Sequence, residues 1–286
     1  FNFPAMIPFG WMIPLCITTG NTFVLKAASQ TPLTAIRMLE LLYEAGLPAG
    51  VVNLVTTSRT EAELLLRHPA VKGVSYVGSS TVGRHIYATA AANHKRVQCL
   101  GEAKNHGLVL RDANLEMSAR IIINSTFGCA GMRCMALPVV AVEEEVADKF
   151  MSYFLEFARE RKIGCAYDPA TELGPVVSAE HKKSVLSWIE KGIEEGAQLV
   201  LDGRDAVVPG FEGGFFVGPT VFDHVKPGMT IGESEIFGPV TCVKRVADFE
   251  EGLALMNANP YANGSCIFTE DGHHAREFAR RTDGGM

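Results

Sequence analysis

Short β-rich apolar runs alternate along this chain with longer segments whose apolar residues recur at helical spacing. Residues 21–26 predict a strand. Thr31-Pro32 with apolar positions Ile36, Leu39, Leu42 and Tyr43 predicts a helix that stops near Gly46-Leu47-Pro48. A strand at 51–55, a helix at 61–67 and a strand at 74–77 follow, and the turn Gly78-Ser79-Ser80-Thr81-Val82-Gly83 opens a helix running to about residue 92. Strands at 96–100 and 107–110, a helix at 115–124, a strand at 137–142 and a helix at 143–161 continue the pattern. A helix at 178–192 capped by Ser178, strands near Leu199, Phe215, Val240 and Cys266, and helices near Phe249 and Ala275 complete it. Such alternation implies parallel pairing through right-handed crossovers, hence an open α/β sheet with ligands at the carboxyl ends of its strands.

The first 19 residues are strongly apolar, but Pro4, Pro8, Gly10 and Pro14 interrupt the run and no basic segment precedes it. That pattern predicts a buried core segment and neither a membrane span nor a signal peptide. Composition changes little: 286 residues, 47% hydrophobic and 20% charged, fit one large globular domain or two ordinary ones. A net charge of −6 without clustered Lys and Arg excludes a nucleic-acid footprint and favours a small-molecule ligand. Seven cysteines, an odd number without CxxC or histidine-rich spacing, argue against a disulfide framework and a metal site and predict a reducing, intracellular compartment.

Two stretches carry candidate chemistry. Cys134 follows Arg133 in the small-residue loop Phe127-Gly128-Cys129-Ala130-Gly131-Met132-Arg133-Cys134, between two predicted elements. A neighbouring guanidinium and the N–H groups of a tight turn favour the reactive thiolate. An arbitrary cysteine is more often simply buried, so the motifs around it have to decide. The turn at 78–83 offers glycine backbone and a helix N-terminus to a phosphate, although it is not a GxGxxG fingerprint and Gly and Ser also serve plain turns and caps.

Asn2-Phe3-Pro4, Val24-Leu25-Lys26, Gly78-Ser79 with Gly83, Gly131-Met132-Arg133-Cys134 and Glu235-Ile236-Phe237-Gly238-Pro239 occur in the order found in the aldehyde dehydrogenase superfamily, which the chain resembles over almost its whole length. The resemblance implies a Rossmann-like dinucleotide-binding portion at 1–102 and an α/β catalytic portion at 103–286 that lacks its C-terminal part. It also implies that the chain is a piece of a longer homo-oligomer, a dimer or tetramer, of the mitochondrial matrix or a bacterial cytoplasm. By that resemblance Cys134 attacks the aldehyde carbon, and the Asn2 amide and the Cys134 N–H hold the oxyanion. Lys26 binds the adenosine ribose of NAD, Gly78, Ser79 and Gly83 the pyrophosphate, and Glu235 the nicotinamide ribose, with Phe237 near the ring.

Departures narrow the resemblance. Hydrolytic relatives place a water-activating glutamate four residues before a lysine, whereas Lys104 here has Leu100 at that position, and leucine is no general base. Glu102 lies nearer, but two residues along an extended chain changes direction. Phe1-Asn2-Phe3-Pro4-Ala5-Met6-Ile7-Pro8, Ala103-Lys104-Asn105-His106 and Arg133-Cys134-Met135-Ala136-Leu137 resemble the CoA-acylating methylmalonate-semialdehyde dehydrogenase branch. That resemblance implies NAD as cofactor, CoA as co-substrate, acetyl-CoA or propionyl-CoA as product, and Arg133 as partner of the substrate carboxylate. Ser29 stands where many relatives carry a ribose-binding glutamate, which reduces the charge bias against NADP. Gly10, Met132 and Glu102 also depart from the branch pattern. A hydrolytic NAD(P)-dependent aldehyde dehydrogenase and a non-catalytic binding derivative of the fold are the alternatives.

Overall fold

A computed structural model describes residues 1–261 and 263–286. The chain divides into two compact units, Phe1–Glu102 and Ala103–Met286.

In the first unit a π-helical turn, Met6–Met12, runs into α1 (Ile13–Thr18). It is followed by β1 (Phe23–Lys26), α2 (Pro32–Glu44), β2 (Val52–Val55), α3 (Arg59–Arg67), β3 (Gly73–Val77), α4 (Ser80–Ala92) and β4 (Arg96–Leu100). β1 pairs in parallel with β2, and β3 with β4, as two separate ladders among the described residues. The expected burial of the opening segment is corrected: of residues 1–19 only Ile13 is buried. With Pro8, Gly10 and Pro14 breaking its regularity, this stretch presents only Phe9, Ile13 and Ile17 to Leu25, Ala35 and Val52. Helix α2 turns Ala35 and Leu39 inward; of the predicted face Leu39 packs as expected, while Ile36 and Tyr43 are exposed. Helix α3 starts at a capping box in which the Ser58 hydroxyl accepts the Glu61 N–H and the Glu61 carboxylate accepts the Ser58 N–H.

The second unit holds β5 (His106–Val109), α5 (Leu115–Phe127), β6 (Val139–Glu143), α6 (Glu144–Arg159), α7 (Ala179–Glu194) and β7 (Gln198–Leu201), then β8 (Thr220–Asp223), β9 (Val240–Val246), α8 (Phe249–Asn257), β10 (Ser265–Phe268) and α9 (Gly272–Arg281). Six strands form one sheet in the order β10-β5-β6-β9-β8-β7, parallel except where edge strand β7 meets β8. No strand forms at Phe215: the ladder begins at Thr220, because Gly213, Gly214, Gly218 and Pro219 interrupt regular pairing before it.

Alternation along the central strands fixes both faces of this sheet. Val109, Val140 and Val142 point into a cluster with Phe127, Phe150 and Phe154 of α5 and α6. Leu108, Leu110 and Ala141 point the other way, onto Phe249, Leu253 and Phe278 of α8 and α9. Every residue of β6 is buried, as expected for a central parallel strand covered by helices on both faces.

Candidate active site

The chain enters three neighbouring strands through residues of one cleft, and a fourth, β10, through a glycine hydrogen-bonded to one of them. Asn105 precedes β5, Cys134 and Ala136 precede β6, Phe237 and Gly238 precede β9, and Gly264 precedes β10. Parallel register places His106 opposite Val139, so these entry loops meet along the amino edge of the sheet. The carboxyl-edge location expected from the α/β pattern therefore does not hold for the second unit. The cleft has about 290 Å³ of empty space and is lined by Ala103, Asn105, Thr126, Gly131, Arg133, Cys134, Ala136, Pro138, Glu235, Ile236, Phe237 and Gly238. Four residues singled out in the sequence, Arg133, Cys134, Glu235 and Phe237, thus share one concavity.

Local geometry explains how the nucleophile loop is built. Helix α5 ends at Phe127, and Gly128–Gly131 form a tight turn in which Cys129, Ala130 and Gly131 all have left-handed backbone, with φ of 52°, 52° and 71°. A Cβ on Gly131 would fall 2.1 Å from the Gly238 carbonyl oxygen, so only glycine lets this loop touch the backbone of the Glu235–Pro239 stretch. Ala130 and Met132 pack on Val176, with Phe237 against them. The Phe237 carbonyl, at a residue with φ of 58°, accepts a hydrogen bond from His181 Nε2 at 2.8 Å.

Asn105 entered the sequence reading only as part of the Ala103-Lys104-Asn105-His106 segment, with no role assigned to it. Its buried Nδ2 donates to the Cys134 carbonyl at 2.8 Å and the Ala136 carbonyl at 2.6 Å, while its Oδ1 accepts the Gly264 N–H at 2.8 Å. Asn263 Nδ2 adds a donor to the Cys134 carbonyl at 3.2 Å. The Ala136 N–H donates to the Arg133 carbonyl at 3.1 Å, closing a turn around Cys134. Both peptide groups flanking the cysteine are held, and the Cys134 N–H itself has no acceptor among the described residues. A held turn with a spare N–H beside a half-buried thiol suits capture of an oxyanion formed by attack of that sulfur.

Charge in the cleft is uneven. Glu235 accepts the Ala103 N–H at 3.1 Å. Arg133 is half-buried and makes no ion pair among the described residues. Burial pushes the thiols of Cys242 and Cys266 up, Cys266 to about 12, so both stay protonated and inert at neutral pH. Lys104 is fully buried, donates from Nζ to the Ile231 carbonyl at 2.8 Å, and has its pKa lowered by that burial.

Asn2, Lys26, Gly78, Ser79 and Gly83 belong to the first unit. Lys26 ends β1, and Ser79 is the N-cap of α4 with its hydroxyl not spent on a cap bond. A free hydroxyl and a helix N-terminus beyond a parallel strand fit a pyrophosphate. Gly78 has a second reason to be glycine, since a Cβ there would fall 2.2 Å from the Tyr76 hydroxyl. Asn2 lies ahead of the π-helical turn and is half-buried.

The family model for the aldehyde dehydrogenase family matches residues 1–286, the whole chain. The chain belongs to the aldehyde dehydrogenase family. Within that family it is 51% identical over 286 residues to malonate-semialdehyde dehydrogenase 2 of Oceanobacillus iheyensis, covering all of this chain and 58% of that protein. Malonate-semialdehyde dehydrogenase of Bacillus subtilis is 47% identical over the same span, again 58% of its length. Among solved structures, methylmalonate-semialdehyde dehydrogenase from Oceanimonas doudoroffii superposes with a TM-score of 0.96 at 43% identity, over 100% of this chain and 58% of that one. A protein from Sinorhizobium meliloti, provisionally described as the same enzyme and solved complexed with NAD, gives 0.97 at 44% identity with the same coverage. The chain therefore spans somewhat over half the length of these relatives.

Proposed function

We propose that this chain belongs to an NAD-dependent, CoA-acylating dehydrogenase that oxidises malonate or methylmalonate semialdehyde through a thioester on Cys134. The observation that carries this reading is an arginine without an acidic partner beside a cysteine in one cleft. A planar guanidinium matches a carboxylate fork, and a substrate carboxylate supplies the charge that no group among the described residues supplies to Arg133. Similarity to malonate-semialdehyde dehydrogenases supports the same substrate class.

Attack of the Cys134 thiolate on the aldehyde carbon gives a tetrahedral oxyanion, stabilised by the Cys134 N–H and, by family resemblance, by the Asn2 amide. Bound NAD supplies the hydride acceptor that turns this adduct into a thioester. Lys26, Gly78, Ser79, Gly83, Glu235 and Phe237 hold and orient that cofactor in this reading. With Leu100 in place of a carboxylate, no general base at that position activates water. The thiol of CoA displaces Cys134 as its thiolate, and loss of the substrate carboxylate as CO₂, with a proton taken up at the carbon it leaves, gives acetyl-CoA or propionyl-CoA. NADH formation by the full-length protein with and without CoA tests this. Turnover beyond the first equivalent requires CoA; equal rates to free acid without it would assign the chain to the hydrolytic relatives.

A further inference from the structure

Arg133 lies over the backbone of Gly128. A Cβ built on Gly128 would sit 2.7 Å from Cζ and Nη1 of Arg133 and 2.8 Å from Nη2, so the guanidinium rests against a position only a hydrogen fills. Backbone conformation does not ask for glycine there, since φ of −56° and ψ of 139° suit any residue. The glycine answers to the guanidinium. No ion pair holds Arg133 among the described residues, which leaves this flat contact to set where its fork lies beside Cys134.

We infer that Gly128 is a specificity-determining positioning residue whose missing side chain seats the Arg133 guanidinium where a substrate carboxylate meets it. A methyl group at 128 needs a separation of about 3.5 Å, so it drives the guanidinium off by roughly 1 Å. Displacements of that size are enough to spoil a recognition geometry. The inference rests on the reading of Arg133 as a carboxylate partner, and adds what holds that partner in place.

Alkylation of Cys134 in this chain separates the two. Iodoacetate and iodoacetamide both react when thiolate sulfur displaces iodide, and differ in carrying a carboxylate or a neutral amide. Peptide mass spectrometry localises the label to Cys134 as distinct from Cys129. The iodoacetate-to-iodoacetamide rate ratio is expected to be about fivefold higher in the wild type than in Arg133→Leu. In Gly128→Ala it falls to the Arg133→Leu value while the iodoacetamide rate is kept. A wild-type ratio retained in Gly128→Ala overturns the inference and leaves the Arg133 reading standing. Equal ratios in wild type and Arg133→Leu remove the Arg133 reading itself. If Gly128→Ala fails to fold, the double variant Gly128→Ala/Arg133→Leu decides: recovery of folding supports the contact, and continued failure shows that the backbone, not the guanidinium, needs the glycine.

Discussion

Asn105 Nδ2 donates to the carbonyl oxygen of Cys134 at 2.8 Å, from a side chain that also binds Ala136 and Gly264. One buried amide thus ties the loops entering β5, β6 and β10. In Asn105→Leu two carbonyls and an N–H lose this partner, which costs about 2 kcal/mol or more. Thermal unfolding of that variant is expected to fall accordingly, and Cys134 alkylation by iodoacetamide to slow, because the turn that presents the sulfur loosens. An unchanged alkylation rate would confine Asn105 to stability.

Arg133→Leu is expected to raise the Michaelis constant for an acidic semialdehyde by about tenfold, the worth of one lost charge-assisted contact of ~1.4 kcal/mol. The constant for propanal should stay near wild type. Steady-state kinetics on both aldehydes check this, and equal losses would point to loop support.

Cys129 is exposed and held at φ of 52°. A left-handed conformation costs an L-residue roughly 1–2 kcal/mol, part of which glycine gives back through the unfolded chain. Cys129→Gly is therefore expected to stabilise the chain by about 0.5 kcal/mol in denaturant unfolding and to leave Cys134 labelling unaltered. Destabilisation would mean that the Cys129 side chain makes contacts worth more than the strain.

His106 carries a pH dependence. Its Nδ1 donates to the Lys104 carbonyl at 2.8 Å, and its buried Nε2 has no partner among the described residues. Burial first, then the positive charges of Lys244 and Lys104, lower its pKa from 6.5 to about 3. The unfolded chain binds the proton below pH 6.5 while the folded chain stays neutral, so stability is complete above 6.5 and falls as pH drops toward 3. The slope approaches about 1.4 kcal/mol per pH unit. Urea unfolding of wild type against His106→Asn is expected to diverge by about 2 kcal/mol between pH 6.5 and about 4.5; parallel profiles would contradict it.

Much of the second unit was legible because its strands are short apolar runs between long amphipathic helices, and β6 reads directly from Val139, Val140, Ala141 and Val142. The strand expected at Phe215 failed because a hydrophobic run says nothing about whether glycine and proline neighbours permit pairing. On α2 the predicted Leu39 packs inward, but the position that is fully buried is Ala35 and not Ile36, because a small residue packs more closely there. Cys134, Arg133, Glu235 and Phe237, proposed from motif order, line one cleft. Asn105, Asn263, Gly264 and Gly128 were not assigned, because their work is tertiary: an amide reaching Cys134, 29 residues away in sequence, and a missing methyl group under a guanidinium. The sequence signal for the first was its place in the polar loop before the strand at 107–110, within the Ala103-Lys104-Asn105-His106 segment.

The central claim is that Cys134 carries the acyl group. Incubating the full-length protein with malonate semialdehyde and NAD in the absence of CoA, then digesting it at acidic pH for peptide mass spectrometry, reads this directly. An acyl adduct on Cys134, absent in Cys134→Ala and discharged by adding CoA, is the expected result. NADH formed with no adduct on Cys134, or turnover retained in Cys134→Ala, would contradict the account.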